Sequence, residues 1–267
     1  MLIAQLSDLH VCEAGRLANG VVDTNVLAAR AFAAVREAPN HPDLILLSGD
    51  LVEAGRPEQY QNLAGMIQGL RAPVFAIPGN HDTREAMRAE LGSMVPTQDA
   101  PFIQYAIEDR PVRLVMLDTL VPGSDHGELC EQRLRFLETT LAAAPERPTI
   151  VAMHHPPLTL GIEHMDRIAL RDPGRFAAVI ARHPQVRRIV CGHVHRPAFG
   201  SCAHAIVAVA PSVAHQVELN LNPGAPGAFT FEPGGYYLHR WTPADGVVTH
   251  LAFAGEYKGP YIFGVVP

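Results

Sequence analysis

Lysine is almost missing from this 267-residue chain. Of 21 basic side chains only Lys258 is a lysine, and acidic residues outnumber basic ones, 27 to 21, for a formal charge of −6. That balance excludes a general basic surface for long nucleic acid. Tryptophan occurs once, and cysteine four times, at Cys12, Cys130, Cys191 and Cys202. No two cysteines form a C-x-x-C pair and their spacing fits no zinc framework. They read as small reduced residues of a cytosolic protein. No apolar run reaches the length of a membrane span, and no charged leader or cleavage pattern precedes the first strand-like run, Leu2 to Leu6. The expectation is a cytoplasmic protein with no membrane contact. No internal repeat is visible.

What is present is a substantial core: 48% hydrophobic residues against 18% charged, as in soluble globular proteins. The length suits a single domain over 1–267. Its catalytic core would span 1–200, and strands and a loop in 201–267 would form a cap or an oligomer contact. Leu2–Leu6, Leu44–Leu47 and Val74–Ile77 are apolar runs typical of buried strands. Helix-like stretches, Asn25–Glu37 and Pro57–Leu70, separate them. Further strands are expected at Gln104–Ile107, Val112–Leu117, Thr149–Met153, Arg188–Cys191 and Ala205–Ala210, and helices at Glu131–Ala143 and Phe176–Arg182. Tyr236–Trp241 and Val247–Leu251 fit a hairpin around Ala244-Asp245-Gly246. The Pro-, Gly- and Asn-rich segment 211–235 reads as loop. Strand–helix alternation first and hairpins later predict an α/β (α+β) fold: a four-layer αββα sandwich of two mixed sheets flanked by helices.

Potential metal-ligating residues recur at the ends of these strands. They are Asp8-Leu9-His10, Gly49-Asp50, Gly79-Asn80-His81-Asp82, His154-His155 and Gly192-His193-Val194-His195. Loops at the carboxyl ends of strands collect functional groups, and the glycines allow close approach of backbone to an ion. Carboxylate, imidazole and amide donors from several strands suit two divalent cations, with Fe, Mn, Zn or Co all compatible. Asp50 is suited to bridge them. Asp-Leu-His and Gly-Asp alone are weak and Gly-Asn-His-Asp is more specific; five such motifs in order at strand ends exclude coincidence.

The ordered set resembles the calcineurin-like metallophosphoesterase superfamily from Leu2 to about Pro197. Gly55-Arg56-Pro57-Glu58-Gln59-Tyr60, Met153-His154-His155-Pro156-Pro157 and Val213-Ala214-His215-Gln216-Val217 narrow it. They resemble its bacterial class III cyclic nucleotide phosphodiesterase and glycerophosphodiesterase branch. The resemblance implies one metal on Asp8, His10, Asp50 and His195, and a second on Asp50, Asn80, His154 and His193. It selects His154 over His155, and it implies a homodimer or larger homo-oligomer. His81 would reach the phosphate or leaving group rather than a metal, oriented by Asp82, and Asn80 and His195 would also touch the phosphate.

The expected reaction is hydrolysis of a small phosphodiester, such as 3′,5′-cyclic AMP or a glycerophosphodiester. Water acidified between the two cations would be the nucleophile, and His81 the proton donor to the leaving oxygen. Phosphomonoesterase or nuclease activity on the same site is the alternative, and a non-catalytic protein-binding scaffold a more distant one. Arg16 and Asn19 are candidate substrate contacts, His164 a candidate rim residue, and His215 either a support for a ligand or a structural residue. His41, His126, His183, His204, His239 and His250 read as surface or structural. The apolar tail Pro260–Val266 is expected to dock on the body or on a second subunit.

Overall fold

The computed structural model describes residues 1–97 and 100–264. Its first half winds β1 (Leu2–Leu6), α1 (Thr24–Glu37), β2 (Leu44–Ser48), α2 (Pro57–Met66), β3 (Val74–Ile77) and α3 (Arg84–Leu91). The three strands pair in parallel, with Ile3 opposite Leu44 and Ile45 opposite Val74. The continuous apolar character of β2 follows from this place: it is the middle strand of the three and all five residues are buried, as expected for a strand covered on both faces.

The second half begins with β4 (Tyr105–Ile107) and β5 (Arg113–Met116), an antiparallel pair. It continues through α4 (Glu131–Ala142), β6 (Thr149–Ala152), α5 (Glu163–Arg167), α6 (Pro173–Ala181), β7 (Val186–Cys191), β8 (Ala198–Cys202) and β9 (Ala205–Val209). Two-residue strands β10 (Gln216–Val217) and β11 (Phe229–Thr230) follow. The long hairpin β12 (Gly235–Thr242) and β13 (Gly246–Phe253) closes the chain's regular structure. Strand order is β13-β12-β1-β2-β3 in one sheet and β4-β5-β6-β7-β9-β8 in the other. Both sheets are mixed, as the alternation of signals required.

The layering shows in how apolar residues sort. Ile107, Leu114, Met116, Ile150 and Val190 of the second sheet pack in one core with the first sheet and α1 to α3. Their strand neighbours Val115, Val151, Ile189 and Cys191 point the other way, onto Leu134, Leu137 and Leu141 of α4 and Phe176, Val179 and Ile180 of α6. Side chains alternating across each strand thus feed two layers of core. A buried polar chain pins the C-terminal hairpin to the centre. The His239 ring lies between Thr249 Oγ1 (2.9 Å) and Gln5 Oε1 (2.9 Å), and Gln5 Nε2 donates to Ser48 Oγ and to the Cys191 carbonyl, both at 2.9 Å.

The structure adds elements to the sequence reading. Helix α3 lies directly after Asp82, and β8 carries Gly200 and Ser201, which weaken the strand pattern. Segment 211–235 is not all loop, since Val217 pairs with Phe229. The expected docking of the tail on the body is not seen: Tyr261, Ile262 and Phe263 stand exposed. Val265 and Val266 lie outside the described residues.

Candidate metal centre

β1 and β2 deliver the first donors. Both strands stop short of them, and Asp8, His10 and Asp50 take left-handed backbone conformations with φ of 54°, 48° and 48°. His193 and His195, past the end of β7, do the same at 72° and 51°. Non-glycine residues rarely sit there, and such strain concentrates at functional sites. Strand alternation therefore does not aim these side chains; the turns do. The glycines make the approach possible. A Cβ on Gly79 would lie 2.2 Å from Asp50 Oδ1, and one on Gly192 1.9 Å from Ser7 Oγ.

Asp8, His10, Asp50 and His195 converge, with ligand atoms within 4.8 Å of one another and all four residues buried. His10 Nδ1 donates to Glu53 Oε2 (2.7 Å) and His195 Nδ1 donates to the His215 carbonyl (2.9 Å). That leaves the two Nε2 atoms 3.0 Å apart, both lone-pair bearing when the rings are neutral. His195 Nε2 is also 3.5 Å from Asp8 Oδ1, and His10 Nε2 3.8 Å from Asp50 Oδ2. Two imidazole lone pairs and two carboxylates facing one point fit a divalent cation.

A second group of donors adjoins the first. His154 Nδ1 donates to the Ser48 carbonyl (2.9 Å), which turns Nε2 toward Asp50 Oδ2 at 3.2 Å. His193 Nδ1 lies 3.1 Å from Asn80 Oδ1. The Nε2 atoms of His154 and His193 are both buried and make no hydrogen bond, an arrangement that costs free energy unless something else occupies them. Asp50 joins the groups through one oxygen: Oδ2 faces both His10 and His154, while Oδ1 accepts the His81 backbone N–H (2.9 Å). His155 also lies near His154 and His193. However, its Nδ1 is engaged by Thr119 Oγ1 (2.8 Å) and its Nε2 by the Asp125 carbonyl (3.1 Å), so neither nitrogen is spare.

The electrostatics of His193 and His195 suit metal ligands, whereas His154 is held as an ion pair with Asp50 that a cation would have to displace. Burial drives His193 well below the usual histidine range and His195 down to about 3, which keeps both rings neutral, as a ligand must be. Burial raises Asp8 to about 6. Burial opposes ionisation of the Asp50–His154 pair too, but their mutual attraction prevails: Asp50 is held well below the carboxylate range and His154 lifted to about 9.

His81 stands at the edge of the cluster, with its ring held by Nδ1 donating to the Glu53 carbonyl (2.8 Å). Asp82 does not orient that ring. Its Oδ2 accepts from the backbone of Gly79 (2.8 Å) and Leu51 (3.2 Å), and its Oδ1 from the Tyr60 hydroxyl (2.8 Å), so it fastens the Asp50 and Asn80 loops together. Glu53 is the residue that sequence reasoning missed. An acidic residue three positions past Asp50 was the available signal, but nothing local tied it to His10.

The donors open on a cleft of about 250 Å³. Asn19, His164, Met165, Ile168, His215 and Val217 line its outer part; Arg16 is not among the lining residues. Among the described residues lining it there is no lysine or arginine.

The calcineurin-like phosphoesterase family model matches residues 1–197. The chain belongs to that family. It is 34% identical over 264 residues to a probable glycerophosphodiester phosphodiesterase, GpdQ, of Arcobacter nitrofigilis, covering 98% of this chain and 97% of the relative. It is 36% identical over 197 residues to the 3′,5′-cyclic adenosine monophosphate phosphodiesterase CpdA of Escherichia coli K12, covering 73% and 69%. A dimetal phosphatase from Danio rerio shares the fold, with a TM-score of 0.63 at 13% identity over 96% of this chain and 99% of that one. No helix among the described residues is long and apolar enough to cross a membrane.

Proposed function

We propose that this calcineurin-like phosphoesterase is a two-metal phosphodiesterase acting on small diesters of the cyclic nucleotide or glycerophosphodiester type. The observation that carries the reading is Asp50 Oδ2, one carboxylate oxygen facing donors of two adjoining buried groups. Asp8, His10, Asp50 and His195 would hold one cation, and Asp50, Asn80, His154 and His193 the other. When bound, the cations would polarise a phosphoryl oxygen and bring the pKa of a water from about 15.7 toward 7. The chain's own residues do the rest. Asn80, His195 and His81 border the cleft and would orient the phosphate. His81, with Nδ1 committed to Glu53, presents Nε2 as the atom that would hold a proton for the leaving oxygen. The names of the relatives and the completeness of the donor set support an enzyme over a scaffold.

A diester is favoured over a monoester by the cleft's lining. A monoester brings a second negative charge, and among the described residues lining the cleft there is no lysine or arginine to meet it. The deciding experiment compares bis(p-nitrophenyl) phosphate with p-nitrophenyl phosphate, then cyclic AMP, 2′,3′-cyclic nucleotides and glycerophosphoethanolamine, each with Mn, Zn, Co and Fe. Faster turnover of the monoester would overturn the reading. For His81, the expected result is that His81→Ala slows alkyl diesters by about 10²–10⁴-fold while both metals still bind. Unchanged turnover of a diester with a poor leaving group would remove the proton-donor role.

A cytoplasmic location accords with the four free cysteines. Self-association accords with Leu251 and Phe253 exposed on the edge strand β13, beside an exposed apolar tail. Light scattering tests it, and a monomer at all concentrations would exclude it.

A further inference from the structure

Glu53 makes three connections at once. Its carboxylate Oε2 takes the His10 Nδ1–H at 2.7 Å, its backbone N–H donates to the Val11 carbonyl at 3.1 Å, and its own carbonyl takes the His81 Nδ1–H at 2.8 Å. The residue is thereby bolted to the loop that carries His10 by side chain and main chain together, and it holds the His81 ring by main chain alone. It stands between the metal cleft and a second cavity of about 430 Å³ and lines both, as Asn80 and His81 also do. A partner on the far nitrogen of a ligating histidine sets the tautomer and the bearing of the ring. Here the same residue sets both for the neighbouring histidine that borders the substrate.

We propose that Glu53 is a positioning residue that ties the first metal site to His81, its carboxylate directing His10 Nε2 at the cation and its carbonyl directing His81 Nε2 at the leaving group. The proposal rests on the phosphodiesterase reading only for its second half. Movement of His10 on metal loss would be transmitted to His81 through one residue, because the three hydrogen bonds leave Glu53 little freedom to absorb it.

The test uses the full chain stripped of metal and titrated with Mn²⁺ by calorimetry. Glu53→Ala is expected to weaken one binding step by about 10–100-fold and leave the other unchanged. Glu53→Gln keeps an acceptor oxygen for the His10 N–H and should weaken the same step less. Glu53→Ala keeps the carbonyl but frees it from the His10 ring, so at saturating Mn²⁺ the His81 ring is expected to shift with it and the variant to lose more turnover on a diester with an alkyl leaving group than on bis(p-nitrophenyl) phosphate, because only the former needs a proton. Wild-type affinity at both steps would overturn the proposal, and so would an equal loss on both diesters. Circular dichroism checks that the variants fold; if the alanine variant does not, Glu53→Gln carries the comparison. The titration needs no substrate. Wild-type protein inert towards both diesters would therefore sink the phosphodiesterase reading and leave the role of Glu53 at His10 to be decided by affinity.

Discussion

His10 and His195 face each other through their Nε2 atoms at 3.0 Å, each with Nδ1 already donating elsewhere. With both rings neutral, as ligands are, neither has a proton to offer the other. Asp8 and Asp50 add negative charge to the same point. A cation between them would be met by both nitrogens and both carboxylates.

Metal should therefore stabilise the fold. With a metal at 100 times its Kd, binding adds about 2.7 kcal/mol, or roughly 5–10 °C in Tm for a chain of this size. Differential scanning calorimetry with and without EDTA checks this. No difference between the two scans would mean that the cluster does not bind metal in the folded state.

Asp50 and Asp8 should differ in what their loss removes. Asp50→Ala takes away the oxygen that faces both donor groups, so the purified variant should lose both cations. Asp8→Ala should lose the first and keep most of the second. Metal content by mass spectrometry reads this directly, and equal losses in the two variants would argue against a bridging carboxylate.

Gly79→Ala should be damaging although it adds a single methyl. The new Cβ would fall 2.2 Å from Asp50 Oδ1 and 2.4 Å from the Asp50 backbone nitrogen. Overpacking typically costs 1–3 kcal/mol, and here the strain acts on the bridging residue. Gly174→Ala, in α6 with open space at that position, is the control. Gly79→Ala should lower both the denaturant midpoint and the metal content, and Gly174→Ala should lower neither.

Acid should unfold the protein partly through His239. Burial, with the Arg188 charge adding to it, pushes this histidine down to about 3, while the unfolded chain has it near 6.5. Between those values the unfolded state binds a proton that the folded state refuses. Stability is therefore complete above about pH 6.5 and falls as pH drops toward 3, by up to about 1.4 kcal/mol per pH unit. His239→Leu should lower stability at neutral pH, since Gln5 and Thr249 lose a partner, yet flatten the decline between pH 6 and 4. Urea melts across that range measure both effects, and a parallel decline in the two proteins would remove His239 from the account.

Local chemistry carried much of this protein in plain view of its sequence. Leu44–Leu47 reads as a strand covered on both faces, because its residues are apolar without interruption. Asp8, Asp50, Asn80, His154 and His193 each follow such a run, so their delivery to one edge of the sheets was readable from the alternation alone. What the sequence by itself could not decide were relationships across distance. His10 and His195 are 185 positions apart, and only the packing of two sheets brings their nitrogens face to face. His154 and His155 are the same residue type side by side. What separates them is that Thr119 and Asp125 occupy both nitrogens of one, while Ser48 leaves Nε2 of the other free. Glu53 and Asp82 were likewise told apart only by their partners. Strand-forming preference is a property of a few neighbouring residues, whereas the direction of a buried polar side chain depends on which distant donors and acceptors the fold places around it.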